Sequence, residues 1–382
     1  MASGKRLIVV VTGTRAEFGL LEPVIRGLHA RPEVRVALIV TGVHLTSGTW
    51  REVAGLAKEL GGVAVEKVAM QRARGGGRGG EVGGGETGRS ADVAAVGRGV
   101  AGIGRVLDEM KPGAVVVLGD RIEAFAGAAA ASIGGYPLAH IHGGDRAEGV
   151  ADEAMRHAIS KLAHVHFAAS AQSRQRLIRM GEDRRMVFNT GSPAMDGLGQ
   201  IEAAVDGPTV IVLQHPIGAD DEQERLWMSG TLAATRRFSR LVMMPNGDAG
   251  RAGIVEAIAR ERMGRGGSLT VVDHLPRERW LGLVRGAKVI VGNSSAGLIE
   301  ACGLRTACVN VGPRQGGRQR PGHVIDCDYG AAHVAAAIDQ AMKLDLRRLR
   351  NPYGDGTAGQ RIAKLLATME LGPAVLRKRN SY

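Results

Sequence analysis

The chain has 382 residues, 44% hydrophobic and 23% charged, an ordinary globular composition too long for one core, so two domains are expected. A net charge of +12 suits an anionic ligand, while 3% aromatic content and the absence of any nucleic-acid motif argue against a nucleic-acid partner. Cys302, Cys308 and Cys327 form no C-x-x-C pair. That excludes a disulfide framework and the usual zinc spacing, and fits reduced thiols in a cytoplasmic protein with no metal.

In chain order, residues 7–11 form a continuous apolar, β-branched run. It is too short for a signal-peptide core or a membrane span, and reads as a buried parallel strand. A helix is predicted from Ala16. Further strands are predicted at 34–40, 114–118, 137–141 and 165–168, with helices at 153–162 and 173–180 among them. Residues 71–90 are rich in Gly and Arg and read as a loop running into a helix, either a passive insertion or a basic lid. Residues 201–208 are the expected linker. A second series of strands follows at 209–213, 241–244, 269–272, 289–291 and 307–311. A helix at 359–371 and a basic tail, Arg377-Lys378-Arg379, close the chain; the tail reads as solvated. The βαβα order predicts two doubly wound α/β domains, at 1–200 and 208–358, with 359–382 as a C-terminal appendage.

Ligands of such sheets bind at the carboxyl ends of the strands. Polar residues collect there: Thr14, Arg15 and Glu17; Asp120, Arg121 and Glu123; His140, His142 and Asp145, followed by Asp152, Glu153, Arg156 and His157. In the second half the strand ends give His215, Asn246, His274, Asn293-Ser294-Ser295 and Arg314. Single residues of this kind serve as helix caps, but so many strand ends in both halves indicate a binding site. Gly292 to Gly297 (GNSSAG) follows a strand and opens a helical stretch, an arrangement that suits a phosphate, with Glu300 placed to meet ribose hydroxyls. Arg314, Arg318 and Arg320 add guanidinium groups able to grip a diphosphate. The first βα turn lacks G-x-G-x-x-G and no P-loop sequence occurs, which argues against a dinucleotide dehydrogenase and a P-loop kinase.

The runs VVTGTRAEFGLLEPVI, LGDRIE and HIHGGDRAEGVADEAMRHAISKLAHVHF, the GSP at Gly191, MPNGDAG, and GNSSAGLIEA with NVGPRQGGRQR resemble, in order from about residue 7 to 325, the hydrolysing UDP-N-acetylglucosamine 2-epimerases. The resemblance implies a glycosyltransferase-B-like fold with the active site between two domains. It implies conversion of UDP-GlcNAc and water to ManNAc and UDP, without NAD or metal. Relatives act instead on UDP- or GDP-linked 2,4-diacetamido-2,4,6-trideoxyhexoses or are non-hydrolysing, and the family is often dimeric or tetrameric. By motif position, Asp120 and Asp145 are the first candidates for the two acid/base groups, with Glu153 and Asp152 next. His215 is placed to contact UDP and the sugar. Arg15, Ser294, Ser295 and Arg314, with Gly297 between them, match diphosphate positions, and Asn246 and Glu300 match the uridine side. Arg156, His157 and Lys161 are expected to brace the acids. The family usually carries Glu where this chain has Asp145. A glycosyltransferase of the same fold and an inactive nucleotide-sugar binder are the competing readings.

Overall fold

The computed structural model describes residues 4–71, 89–148, 152–264 and 268–381. Most of the Gly/Arg-rich segment, 72–88, therefore lies outside the described residues. The chain divides into two compact units. The first holds the chain up to Asp145, then Asp152–Asp196, and Gly354 onward; the second holds Gly197–Tyr353 and the short loop from Arg146.

The first unit is a seven-stranded parallel sheet in the order β3-β2-β1-β4-β5-β6-β7. The strands are β1 (Arg6–Thr12), β2 (Val34–Thr41), β3 (Ala64–Val68), β4 (Ala114–Leu118), β5 (Leu138–Ile141), β6 (Val165–Ala168) and β7 (Val187–Asn189). The apolar run of β1 is explained by its two faces. Ile8 and Val10 enter one core with helix Arg15–His29, while Val9 and Val11 enter the other with helix Ile122–Ile133. Each such side chain taken fully out of water contributes about 1.5–3 kcal/mol. β3, with adjacent exposed Glu66 and Lys67, is an edge strand that the apolar-run criterion does not detect. Helix Trp50–Glu59, between β2 and β3, was likewise not expected.

The C-terminal helix Ala358–Thr368 is part of this unit. It packs on helix Arg15–His29, where Gly359 lies against the Pro23 backbone closely enough that a Cβ would meet it at 2.7 Å. Arg6 Nη1 donates to the carbonyls of Leu366 (2.6 Å) and Met369 (2.8 Å), satisfying the helix's last turn. The basic tail is not simply solvated. Lys378 is largely buried and donates to the carbonyls of Ser160 (2.9 Å) and Ala163 (2.6 Å) and to Glu182 (2.6 Å).

The second unit repeats the scheme with six parallel strands in the order β10-β9-β8-β11-β12-β13. These are β8 (Val210–Leu213), β9 (Arg240–Met243), β10 (Leu269–Val272), β11 (Val289–Gly292), β12 (Ala307–Val311) and β13 (Val324–Cys327). Residues 201–208, expected as a linker, belong to this unit: Ala204 N–H donates to Gly282 O at 2.9 Å. In both sheets the strand order reverses beside the first strand, between β1 and β4 and between β8 and β11. That reversal opens a crevice at the carboxyl ends of those strands. Among the described residues no helix is long and apolar enough to cross a membrane.

Candidate active site

In the first unit, the turn after β4 carries Asp120 and helix Asp152–Leu162 carries Glu153 and Arg156. Arg156 lies one turn beyond Glu153 on the helix, so one guanidinium reaches both acids. Its Nη1 pairs with Glu153 and its Nη2 with Asp120, and Nη1 also donates to the Asp145 carbonyl at 3.2 Å. Arg156 is itself buried, with a side chain 2% exposed, while Asp120 and Glu153 keep 24% and 18%. Two carboxylates thus share one desolvated cation and still present oxygen to solvent. His157 lies 3.4 Å from the other Glu153 oxygen. Lys161 braces none of these acids. It pairs with Glu182 at 2.9 Å, because the rise of the helix carries it past the strand ends.

Asp145 ends the turn after β5 and is more enclosed, its side chain 4% exposed. Its Oδ1 accepts from Ser173 Oγ at 2.7 Å, and its Oδ2 lies 3.5 Å from His142 Nδ1. Gly144, at φ +75°, permits the turn: a Cβ there would stand 2.2 Å from the Ser173 carbonyl. His140 Nε2 donates to Gly119 O at 2.7 Å, and its Nδ1 meets Ser160 Oγ at 3.1 Å, tying the β4 turn to the helix that carries Arg156. Burial lowers its pKa to about 3, so it stays neutral.

Arg15 opens helix Arg15–His29 and pairs with Glu52. Behind it, Glu17 accepts from Gly13 N–H at 3.2 Å. Burial, reinforced by the charge of Glu123, pushes the Glu17 pKa up to about 8. Glu123 is fully buried and so close to Gly13 that a Cβ on that glycine would overlap it.

In the second unit, Asn293 joins the ends of β8 and β11 through both halves of its amide. Its Oδ1 accepts from His215 N–H at 2.7 Å, and its Nδ2 donates to His215 O at 2.8 Å. Asn246 N–H donates to His215 Nδ1 at 3.2 Å, so the neutral ring carries its proton on Nε2. The Asn246 side chain is turned to Asp248. Ser294 caps the short helix Ser295–Leu298, and Gly297 lets that helix approach β12: a Cβ would meet Cys308 Sγ at 2.7 Å. Arg314 Nη1 (3.2 Å) and Gln315 Nε2 (2.9 Å) donate to the Asn293 carbonyl, beside the two serines. The helical stretch expected through Glu300 is broken at Ile299, and Glu300 pairs with Arg277 at 2.7 Å. Arg320 is engaged within its own unit, by Asp326 at 2.9 Å and by the Gln315 and Arg318 carbonyls, and so braces the loop rather than standing ready for a ligand.

Sequence reading passed over Arg277, Ser173, Ser192, Gln315 and Glu224. Glu224 is buried and accepts from Ile217 N–H at 2.7 Å and Ala219 N–H at 3.3 Å, shaping the turn after His215. Of these, Ser192 in the GSP run and Gln315 in the NVGPRQGGRQR run carried a visible signal.

The duplicated strand order defines an α/β protein with two doubly wound parallel sheets, whose polar strand ends are of the ligand-binding kind. The model of the UDP-N-acetylglucosamine 2-epimerase family matches residues 26–367. The chain is 30% identical to the UDP-N,N'-diacetylbacillosamine 2-epimerase (hydrolyzing) of Legionella pneumophila, over 99% of this chain and 100% of that one. It is 28% identical to the UDP-N-acetylglucosamine 2-epimerase of Neisseria meningitidis, over 97% and 98%. Its fold is similar to the crystal structure of UDP-GlcNAc 2-epimerase from Neisseria meningitidis bound to UDP-GlcNAc, with TM-score 0.76 at 18% identity, covering 94% of this chain and 99% of that one. The chain belongs to the UDP-N-acetylglucosamine 2-epimerase family and is a UDP-sugar 2-epimerase.

Proposed function

We propose that the protein is a hydrolysing 2-epimerase that converts UDP-GlcNAc and water to ManNAc and UDP. The observation that carries this reading is the gathering of Asp120 and Glu153 on one buried guanidinium, with Asp145 alongside. Inversion at C2 beside a diphosphate leaving group needs proton transfer on both faces of the sugar, and therefore at least two acid/base groups.

In the first step a carboxylate takes the C2 proton. The C–H electrons form the C1=C2 double bond, and the C1–O bond breaks with its electrons going to UDP. In the second step water adds its oxygen to C1, and C2 receives a proton on the opposite face. The chemistry is redox-neutral. Asp120 and Asp145 take the two proton roles, and Glu153 shares Arg156 with Asp120 and acts on either side. His215, with its proton on Nε2, protonates or orients the departing phosphate. Arg15, Arg314, Ser294 and Ser295 bind the diphosphate, with Gly297 keeping the backbone close, while Asn246 and Glu300 serve the uridine side.

A second substrate is favoured by a specific finding. The Legionella pneumophila relative, similar over the whole chain, is named for UDP-N,N'-diacetylbacillosamine. NMR of the purified protein in D₂O with UDP-GlcNAc, and in parallel with UDP-2,4-diacetamido-2,4,6-trideoxyglucose, separates the readings. Free ManNAc deuterated at C2, plus UDP, is the expected outcome. A free 2,4-diacetamido sugar from the second tube alone moves the assignment to that substrate, and a UDP-linked epimer as sole product overturns hydrolysis.

A further inference from the structure

The backbone of His142 has φ +66°, a left-handed conformation that side-chain-bearing residues rarely adopt. The next two residues, Gly143 and Gly144, are the type that relieves such strain, yet position 142 keeps an imidazole. That ring is buried, and each of its nitrogens faces a polar group. Nε2 lies 2.9 Å from Ser192 Oγ, and Nδ1 lies 3.5 Å from Asp145 Oδ2. Ser192 Oγ in turn accepts from Ala194 N–H at 3.1 Å, which fixes the hydroxyl. The other Asp145 oxygen accepts from Ser173 Oγ at 2.7 Å, and Ser173 Oγ meets Ser170 Oγ at 3.1 Å. A continuous chain, Ser192–His142–Asp145–Ser173, therefore addresses both oxygens of one carboxylate from opposite sides.

We infer that His142 is a positioning residue for the reaction, holding the Asp145 carboxylate in one orientation through Nδ1–H while Ser192 fixes the tautomer. The inference deepens the function proposed above and rests on it for the role of Asp145. Ser173 hydrogen-bonds Oδ1 and the His142 ring faces Oδ2 from the other side at 3.5 Å, within ion-pair reach, and misplacement of a reacting group by about 1 Å costs about 10²-fold in rate. Nδ1 faces an acceptor-only group, so Nδ1 carries the proton and Nε2 accepts from Ser192.

The test uses His142→Gly and His142→Asn in the full chain, since both replacements accommodate φ +66° and should keep the turn. With whichever of the two UDP-sugars the wild type turns over, His142→Gly should lower kcat about 10²-fold and leave KM within about twofold. His142→Asn, which retains a short N–H donor, should recover to within about tenfold of wild type. In an Asp145→Asn background, His142→Gly should change kcat by less than about twofold, because the pair acts as a unit. Wild-type kcat in His142→Gly, or losses that multiply with those of Asp145→Asn, would overturn the inference. Long-range ¹H–¹⁵N spectra of histidine-labelled protein give a readout that does not need turnover. They should show the Nδ1–H tautomer for His142 and its loss in Asp145→Asn, and an Nε2–H tautomer in the wild type sinks the idea. Failure of both UDP-sugars with the wild type counts against the proposed function, while the tautomer seen in these spectra still decides the placement of the His142 proton.

Discussion

The roles proposed for Asp120 and Arg314, proton transfer and diphosphate binding, can be tested separately. Asp120 keeps a quarter of its side chain exposed while paired to Arg156, which leaves it open to the proton transfer proposed for it. Asp120→Asn should lower kcat by about 10²–10⁴-fold with UDP affinity within about threefold, measured by coupled UDP release and by calorimetry. Arg314 stands beside Ser294 with one nitrogen on the Asn293 carbonyl. Arg314→Ala should weaken UDP binding by at least about tenfold, roughly 1.4 kcal/mol, in the same calorimetric titration. Unchanged affinity would remove Arg314 from the phosphate site. At this scale the sequence made the residue types legible but not their partners. Glu300 is held by Arg277, and Lys161 by Glu182, 23 and 21 residues away in the chain. Spacing along one helix reveals the pairing of Arg156 with Glu153, whereas its reach to Asp120 depends on how helix Asp152–Leu162 packs against β5 and helix Ile122–Ile133.

The elements that carry these groups depend on a few glycines. Gly292 ends β11 at φ +139°, and a Cβ there would stand 2.1 Å from the Leu213 carbonyl of β8. Gly292→Ala should cost at least about 2 kcal/mol and lower Tm by about 5 °C, because backbone rather than a side-chain tip must give way. A variant as stable as wild type would show that β8 and β11 can separate at no cost. Helix Asp152–Leu162 is held at its far end by Lys378, whose ammonium takes the Ser160 and Ala163 carbonyls. Lys378→Met should therefore loosen that end, seen as faster amide exchange over residues 159–163, with no change if the tail is only a surface strap.

For the whole molecule, buried ionisable groups set the response to pH. Burial lowers His140 to about 3 and His44, His164 and His323 to about 4, each from 6.5. The unfolded chain takes up these protons first. The stability they contribute is full above about pH 6.5 and is lost as pH falls toward 4. Burial opposes ionisation of Glu182, but hydrogen bonds from His166, Lys378 and Lys161 outweigh it and bring its pKa to about 2. Its contribution is present above 4.5 and fades toward 2. Glu17, raised to about 8, works the other way: its cost is absent below 4.5 and grows as pH rises through 8. Thermal unfolding should therefore peak near neutrality and fall steeply between pH 6.5 and 4. A Tm flat across that interval would contradict the buried neutral histidines.

The doubly wound class, the interior strands and the residue types at their ends can all be read from the order of amino acids. Continuous β-branched runs and the turns that stop them are local properties, set by burial on both faces of a parallel sheet. Edge strands β3, β7 and β13 escaped because their exposed sides admit polar residues or because they are too short to show a pattern. Which charges meet is settled in three dimensions alone. Packing brings Asp120 and Glu153 to Arg156, Arg320 to Asp326, and the last residues of the chain back into the first sheet. Apart from the Glu153–Arg156 pair, which the spacing of one helix records, those pairings depend on the packing angles of helices on sheets, a few ångströms either way, and on no spacing along the chain.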